Sequence, residues 1–390
     1  MTELSEIRSA ARLAAARGEP LWLATVMRVR GSAYRHASAR MLFGNNGTLA
    51  GSVSGGCLEA TIVRKGPWLT REHAACICFE GTRDDDDSER PRGTGCDGIV
   101  DILVERVLDG AECDAFAFID ECLSTEQRGV MITIFESVDP SLPIGARCCL
   151  KEDGAFASTI TRRCVIAELR GIAEYALSIA SGDCRNIHGH GFEALLEIIE
   201  PAPHLFVFGS GPDAVPLVEL AQVLGLGVTV CDHTGRIAAR ERFPRGTDVH
   251  VGDVASVKQL IDARRTALTV VMSHHYPTDT EALSMLLETR AAYVGMLGPA
   301  RRTERMLREI GRERTTLSPV DRARLHAPVG LDLGAQTPAQ IALAILAEIQ
   351  AVLARANARP LSRTPRRSIH LAEPAVTLSS ATALARTGST

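Results

Sequence analysis

The feature that most constrains this chain is a short glycine turn in its second half. Gly209-Ser-Gly-Pro-Asp-Ala214 follows an apolar run, His204 to Phe208, and opens a helical stretch at Ala214. A second apolar run then ends in Asp232, 23 residues after Gly209. In such a strand–turn–helix–strand unit the first glycine permits the tight turn and the second leaves room for a pyrophosphate on the backbone. A small residue at the position of Ala214 lets helix and sheet pack closely, and the acid can accept from a ribose hydroxyl. The pattern predicts a Rossmann-like doubly wound parallel sheet, with Gly209, Gly211 and Asp232 as nucleotide-binding candidates. Pro212 removes one amide from the turn, and the same fold occurs without a nucleotide. A bound dinucleotide and a bare scaffold therefore both stand as readings.

Strand-like and helical stretches continue to alternate beyond this unit. Leu268 to Met272 and Ala292 to Leu297 read as strands, and helices are expected from Ala255 to Arg264 and from Asp279. Alternation of this kind signals crossover helices on a parallel sheet. Ser273-His274-His275 falls where a strand ends, on the side where open sheets bind ligands, so His274 and His275 are candidate acid–base residues. The plainer reading makes one of them a helix cap. Arg301-Arg302 after Gly298-Pro299 reads either as an anion clamp at a helix start or as a solvated face. Thr337-Pro338 has the form of an N-cap and first-turn proline, opening a helix to about Ala354.

The first half is organised differently. An N-terminal helix leads to a strand over Leu21 to Arg30 and a hairpin turned at Asn46-Gly47. Gly51-Ser-Val-Ser-Gly-Gly-Cys57 then opens a helix near Leu58. A second glycine-flanked cysteine lies in Gly93-Thr-Gly-Cys96-Asp-Gly98, before a strand from Ile99. Free amides at a helix start favour a thiolate and can also grip an oxyanion, which singles out Cys57 and, by its glycine setting, Cys96. The remaining cysteines among the 11 read as small core side chains.

Composition narrows the function. A net charge of −4 leaves no polyanion footprint, and 4% aromatic residues offer few stacking platforms, so nucleic acid is excluded as a partner. The longest apolar stretch, Ile341 to Ala354, is too short and too interrupted for an integral membrane segment. The beginning of the chain lacks the apolar core of a signal peptide. A cytoplasmic protein is expected, in which scattered cysteines are neither a disulfide framework nor a zinc site. The domains are expected as residues 1–136 around the cysteine loops, a bridging segment over 137–203, the Rossmann-like domain over 204–358, and a mobile tail over 359–390.

Several blocks together resemble a known family. Gly31-Ser32, Ala39-Arg40-Met41, Gly51-Ser-Val-Ser-Gly-Gly-Cys-Leu-Glu59, Gly95-Cys96-x-Gly98 and Gly209-Ser-Gly-Pro-Asp-Ala214 are similar to motifs of the XdhC/CoxI proteins. Met272-Ser-His-His275, Tyr293-Val-Gly-Met-Leu-Gly298 and Ala327-Pro-Val-Gly-Leu-Asp-Leu-Gly334 extend the likeness from about residue 20 to 360. These are xanthine dehydrogenase accessory proteins. The resemblance implies a chaperone that binds the molybdenum cofactor (molybdopterin), helps it acquire sulfur with a cysteine desulfurase, and inserts it into a molybdenum hydroxylase client. It implies cofactor contacts from Arg40, Ser54, Gly55, Gly56, Cys57, Glu59 and Cys96, with Cys57 and Cys96 as candidate contacts to the metal. A homodimer is expected. Pro212 and Asp97 depart from residues common at those places in the family, which bears on the ligand and the client. No iron–sulfur cysteine cluster or flavin domain is visible, so hydroxylase activity of the chain's own is not expected. Two other readings remain open. One is an NAD(P)-dependent oxidoreductase using the Gly209 turn with His274 or His275 as proton carrier, and the other is a docking protein without catalysis.

Overall fold

The computed structural model describes residues 3–31, 33–80, 98–107, 113–179, 184–232, 238–311, 317–360, 362 and 376–377. The chain divides into two compact units, one over residues 3–201 and one over 202–365.

The first unit begins with helix α1 (Glu3–Ala15) and strands β1 (Leu21–Arg30), β2 (Arg40–Gly44) and β3 (Gly47–Gly51). Helix α2 (Glu59–Leu69), β4 (Ala75–Glu80) and β5 (Ile99–Arg106) complete an antiparallel sheet of order β3-β2-β1-β5-β4. β1 is buried along most of its length because helices cover both faces of its sheet. Trp22, Ala24 and Val26 pack with Ile62 of α2, whereas Leu21 and Leu23 pack with Ile7, Ala11 and Ala14 of α1.

A second sheet follows, built from α3 (Ala115–Ser124), β6 (Gly129–Ser137), β7 (Arg147–Lys151), β8 (Phe156–Ser158), α4 (Arg163–Ser178), β9 (Arg185–Gly189) and β10 (Phe192–Ile199). Its order is β9-β10-β6-β7-β8, every pair antiparallel. Leu169, Ile172 and Ala173 of α4 cover one face. Met131, Cys149 and Ile199 from the other face join the core beneath α1 and α3. Residues 137–203, read from the sequence as a bridge, thus supply four strands and a helix to this sheet. Alone, the apolar residues of β10 would stay wet; paired with β6 they share one core. Two residues of the expected tail, Val376–Thr377, run parallel to β9.

The second unit alternates strictly. It comprises β11 (His204–Phe208), α5 (Ala214–Val223), β12 (Gly227–Asp232), α6 (Ala238–Arg242), β13 (Asp248–Val251), α7 (Val257–Asp262) and β14 (Ala267–Val271). It continues with α8 (Tyr276–Leu286), β15 (Tyr293–Met296), α9 (Ala300–Glu309), α10 (Pro319–Arg324), β16 (Leu325–His326) and α11 (Pro338–Leu353). The six strands are parallel in the order β13-β12-β11-β14-β15-β16, the arrangement of a dinucleotide-type fold. Leu205, Val207, Val228 and Val230 face α5 and α11, while Phe206, Phe208 and Val271 face α7 to α9. α11 carries the expected cap: Thr337 Oγ1 accepts from the Gln340 amide at 3.3 Å, and Gln340 Oε1 accepts from the Thr337 amide at 3.0 Å. Among the described residues no helix is long and apolar enough to cross a membrane.

Candidate functional site

The glycine–cysteine loop between β3 and α2 holds an anion, and the anion is its own. Helix α2 starts at Glu59, whose carboxylate turns back into the loop. Oε1 accepts from the amides of Val53 (3.1 Å) and Ser54 (2.9 Å) and from the Ser52 hydroxyl (2.8 Å). Oε2 accepts from the amides of Gly56 (3.0 Å) and Leu58 (3.1 Å) and from the Ser54 hydroxyl. Gly55 and Gly56, at φ +83° and +124°, let successive amides converge in this way. Burial acts to raise the Glu59 carboxyl. The donors from Ser54 and Ser52 outweigh it and hold the group at about 2. Ser54, Gly56 and Glu59, expected as ligand contacts, therefore face one another. The local signal was an acid in the first turn of the helix, directly after the glycines, where free amides favour a carboxylate.

Cys57 stands outside that network. Its thiol is exposed, 4.0 Å from the Ser54 carbonyl oxygen. It lines a hollow of about 40 Å³ together with Tyr34, Leu58, Phe79, Glu80 and Gly98. A neighbouring hollow of about 360 Å³ lies between Glu3 of α1 and the loop from Tyr34 to Arg40. Tyr34 and Arg35 line both hollows. The Tyr34 ring is 71% exposed and lies so near Gly55 that a Cβ there would come within 2.9 Å of it. Arg35 is paired with Glu3, which also accepts from the Ser52 amide at 3.1 Å. Sequence reasoning passed over Tyr34 and Arg35, which show no periodicity or motif chemistry of their own. Cys96 lies outside the described residues, but Glu80 and Gly98, on either side of residues 81–97, both border the Cys57 hollow.

Arg40 is elsewhere. Its guanidinium donates to Glu197 of β10 at 2.7 Å and to the Ser38 carbonyl at 3.1 Å, with Arg40 and Glu197 both buried. Through this pair it ties the two sheets of its unit together.

In the second unit the turn after β11 meets the end of β14, the point where the strand order reverses. Gly209 sits at φ +134°, and a Cβ on it would come within 2.7 Å of the Met272 carbonyl oxygen. Gly211 has a different neighbour: a Cβ there would lie 2.7 Å from Asp213 Oδ1. Asp213 Oδ2 is hydrogen-bonded to His274 Nε2 at 2.5 Å, with His274 in the left-handed region at φ +61°. A carboxylate thus stands where the glycine pattern leaves room for a pyrophosphate. His275 Nδ1 contacts Thr278 Oγ1 at 2.8 Å, at the start of α8. The acid beside this pair is engaged with other groups, Asp279 accepting from Ser273 and from Arg302 at 2.8 Å. Arg302, half of the expected anion clamp, is therefore spent on an internal acid. Asp232 ends β12 and is 1% exposed. The cavity at these strand ends is about 10 Å³. Among the described residues no group of three or more His, Cys, Asp or Glu could hold a metal ion.

Comparison with known proteins agrees with both halves of this description. The XdhC and CoxI family matches residues 14–78, and the XdhC Rossmann domain matches residues 205–349. A Bacillus subtilis (strain 168) protein, named as a probable subunit of xanthine dehydrogenase, is 28% identical over 331 residues, 84% of this chain and 91% of that protein. An uncharacterized Escherichia coli (strain K12) protein, YqeB, is 26% identical over 222 residues, 52% of this chain and 40% of that one. A crystal structure described as a xanthine dehydrogenase from Bacillus halodurans superposes with a TM-score of 0.70 at 25% identity, covering 94% of this chain and 98% of that one. With the stretch that holds the glycine–cysteine loop and the parallel domain both matched, the chain belongs to the XdhC and CoxI family.

Proposed function

We propose that this chain is an accessory protein of a molybdenum hydroxylase of the xanthine dehydrogenase type, binding the molybdenum cofactor at Cys57 and handing it to the client. The observation that carries the proposal is the placement of Cys57: an exposed thiol on a loop braced from within by Glu59, lining a small hollow whose wall of Tyr34 and Arg35 it shares with a larger one. The name of the Bacillus subtilis relative points to the class of client.

The donor set fits the group in part. A thiolate is a soft ligand suited to a thiophilic metal, and Cys57 can approach it from an open position. The amides of Val53, Ser54, Gly56 and Leu58 are taken by Glu59 and do not hold a cofactor phosphate while it is there. When bound, the cofactor supplies a metal centre that accepts a terminal sulfur. The chain's own contribution is to fix the thiol's position, since Gly55 and Gly56 adopt backbone conformations other residues resist and Glu59 locks them. A cysteine desulfurase partner would deliver the sulfur while Cys57 retains the cofactor. The Rossmann-like unit then serves as scaffold or client surface, because Asp213 repels a pyrophosphate at the turn.

The test is molybdenum and pterin content of protein purified without oxygen, for the wild type and Cys57→Ser. Retention in the wild type, lost in Cys57→Ser with an unchanged thermal transition, supports the proposal. Equal retention in both removes Cys57 from the site, and no retention in either overturns cofactor binding.

A further inference from the structure

The wall shared by the two hollows is made by two consecutive residues with complementary chemistry. Tyr34 offers an exposed aromatic face, held against Gly55 of the loop that presents Cys57. Arg35 is charged and only partly covered. Glu3 takes one of its terminal nitrogens, and 27% of the side chain stays open to solvent. The larger hollow, about 360 Å³, lies within the range of small-molecule sites. An exposed ring beside such a space is a stacking surface, and a partly exposed guanidinium beside it is a receptor for a carboxylate or phosphate that displaces Glu3.

We propose that Tyr34 and Arg35 seat a planar heteroaromatic ligand bearing an acidic group, the ring lying on Tyr34 and the acid meeting Arg35, beside the Cys57 thiol. This rests on the reading that the Cys57 loop binds a pterin-type cofactor, and names residues that would hold its organic part. Specificity divides between the two side chains: Tyr34 selects for a flat ring whatever its charge, and Arg35 selects for the acid. Glu3 sets the threshold, because an incoming anion competes with it for Arg35 and a neutral ligand gains nothing there.

The experiment uses 6-carboxypterin and uncharged pterin as probes, with binding to the full chain read from quenching of probe fluorescence. The wild type should bind 6-carboxypterin more tightly than pterin. Tyr34→Leu should weaken both probes about five- to tenfold, and Tyr34→Phe should keep both within about twofold, as loss of one aromatic contact predicts. Arg35→Gln should weaken 6-carboxypterin about tenfold or more and leave pterin unchanged. Tyr34 is exposed, so its variants should retain the wild-type thermal transition, and circular dichroism checks this. Failure of the wild type to bind either probe overturns the proposal, as does equal binding by wild type and Tyr34→Leu. Molybdenum retention is scored separately. Retention with Tyr34-independent probe binding sinks this inference and leaves the cofactor reading standing, and Tyr34-dependent binding without retention does the reverse.

Discussion

Arg40 and Glu197 form an ion pair closed to solvent on both sides, with Nη2 2.7 Å from Oε1 and side chains 3% and 2% exposed. A pair like this is costly to break singly, because the partner left behind is a buried, uncompensated charge. Arg40→Met should lower the stability of the first unit by about 3–5 kcal/mol, and adding Glu197→Met should recover most of that loss. Both tryptophans, Trp22 and Trp68, lie in this unit, so urea unfolding followed by tryptophan fluorescence reports it. A stable Arg40→Met protein that has lost cofactor would return Arg40 to the site.

Glu59 should make the cysteine loop sensitive to acid. Its carboxyl is held at about 2, below its ordinary value of 4.5. A depressed folded-state value contributes stability that is fully present above about pH 4.5 and is lost as the pH falls towards 2. Glu59→Gln removes the charge and turns an amide donor towards amides and hydroxyls that need an acceptor. It should cost about 2 kcal/mol at neutral pH and flatten the dependence of stability on pH between 5 and 2. An acid limb identical to that of the wild type would show that the carboxylate contributes nothing there.

The parallel unit was legible in the sequence because its signals are local. A strand, two glycines, a helix start and an acid occupy one continuous stretch, and β11, α5, β12 and β14 form where that pattern places them. β13 and β16 escaped notice: four and two residues long, and without apolar runs, they are strands only by pairing with β12 and β15. The partnership of β6 with β10 escaped for the opposite reason. The strands are separated by a hairpin and a helix, and nothing local specifies that Leu196 pairs with Ile132. At the site, glycine spacing pointed to converging loop amides, but not to Glu59 as the group they meet. That Arg40 pairs with Glu197, 157 residues away, has no local signal in the sequence.

The two glycines of the turn after β11 should respond differently to substitution. Gly209→Ala puts a Cβ against the Met272 backbone at a φ of +134°, and neither the carbonyl nor the turn can give way easily. A loss of about 3 kcal/mol is expected, with faster hydrogen exchange in β11 and β14. At Gly211 the φ is ordinary and the obstacle is the Asp213 carboxylate, which can rotate. Gly211→Ala should cost less than about 1 kcal/mol while releasing His274, seen as a change in the His274 imidazole resonances. Equal losses would mean that the second glycine is also fixed by backbone packing.

Thiol mapping tests the claim that Cys57 is the accessible cysteine of its loop. Burial pushes the Cys76 and Cys148 thiols up to about 12 and the Cys122 thiol to about 11. Raising a thiol from its ordinary 9.0 to about 12 cuts the thiolate fraction at neutral pH about a thousandfold. Cys231, in β12, is raised by burial as well. Cys57 is exposed and should label with iodoacetamide at pH 7 orders of magnitude faster than these. Cys164, exposed in the first turn of α4 and 4.0 Å from Arg162, is a thiol at an open helix terminus and serves as the comparison. The amides around Cys57 are committed to Glu59 and those at the start of α4 have no side-chain cap, so Cys57 should label no faster than Cys164. Cofactor loading should then protect Cys57 and leave Cys164 labelling unchanged, read peptide by peptide by mass spectrometry. If both are protected equally, or neither is, Cys57 does not meet the ligand.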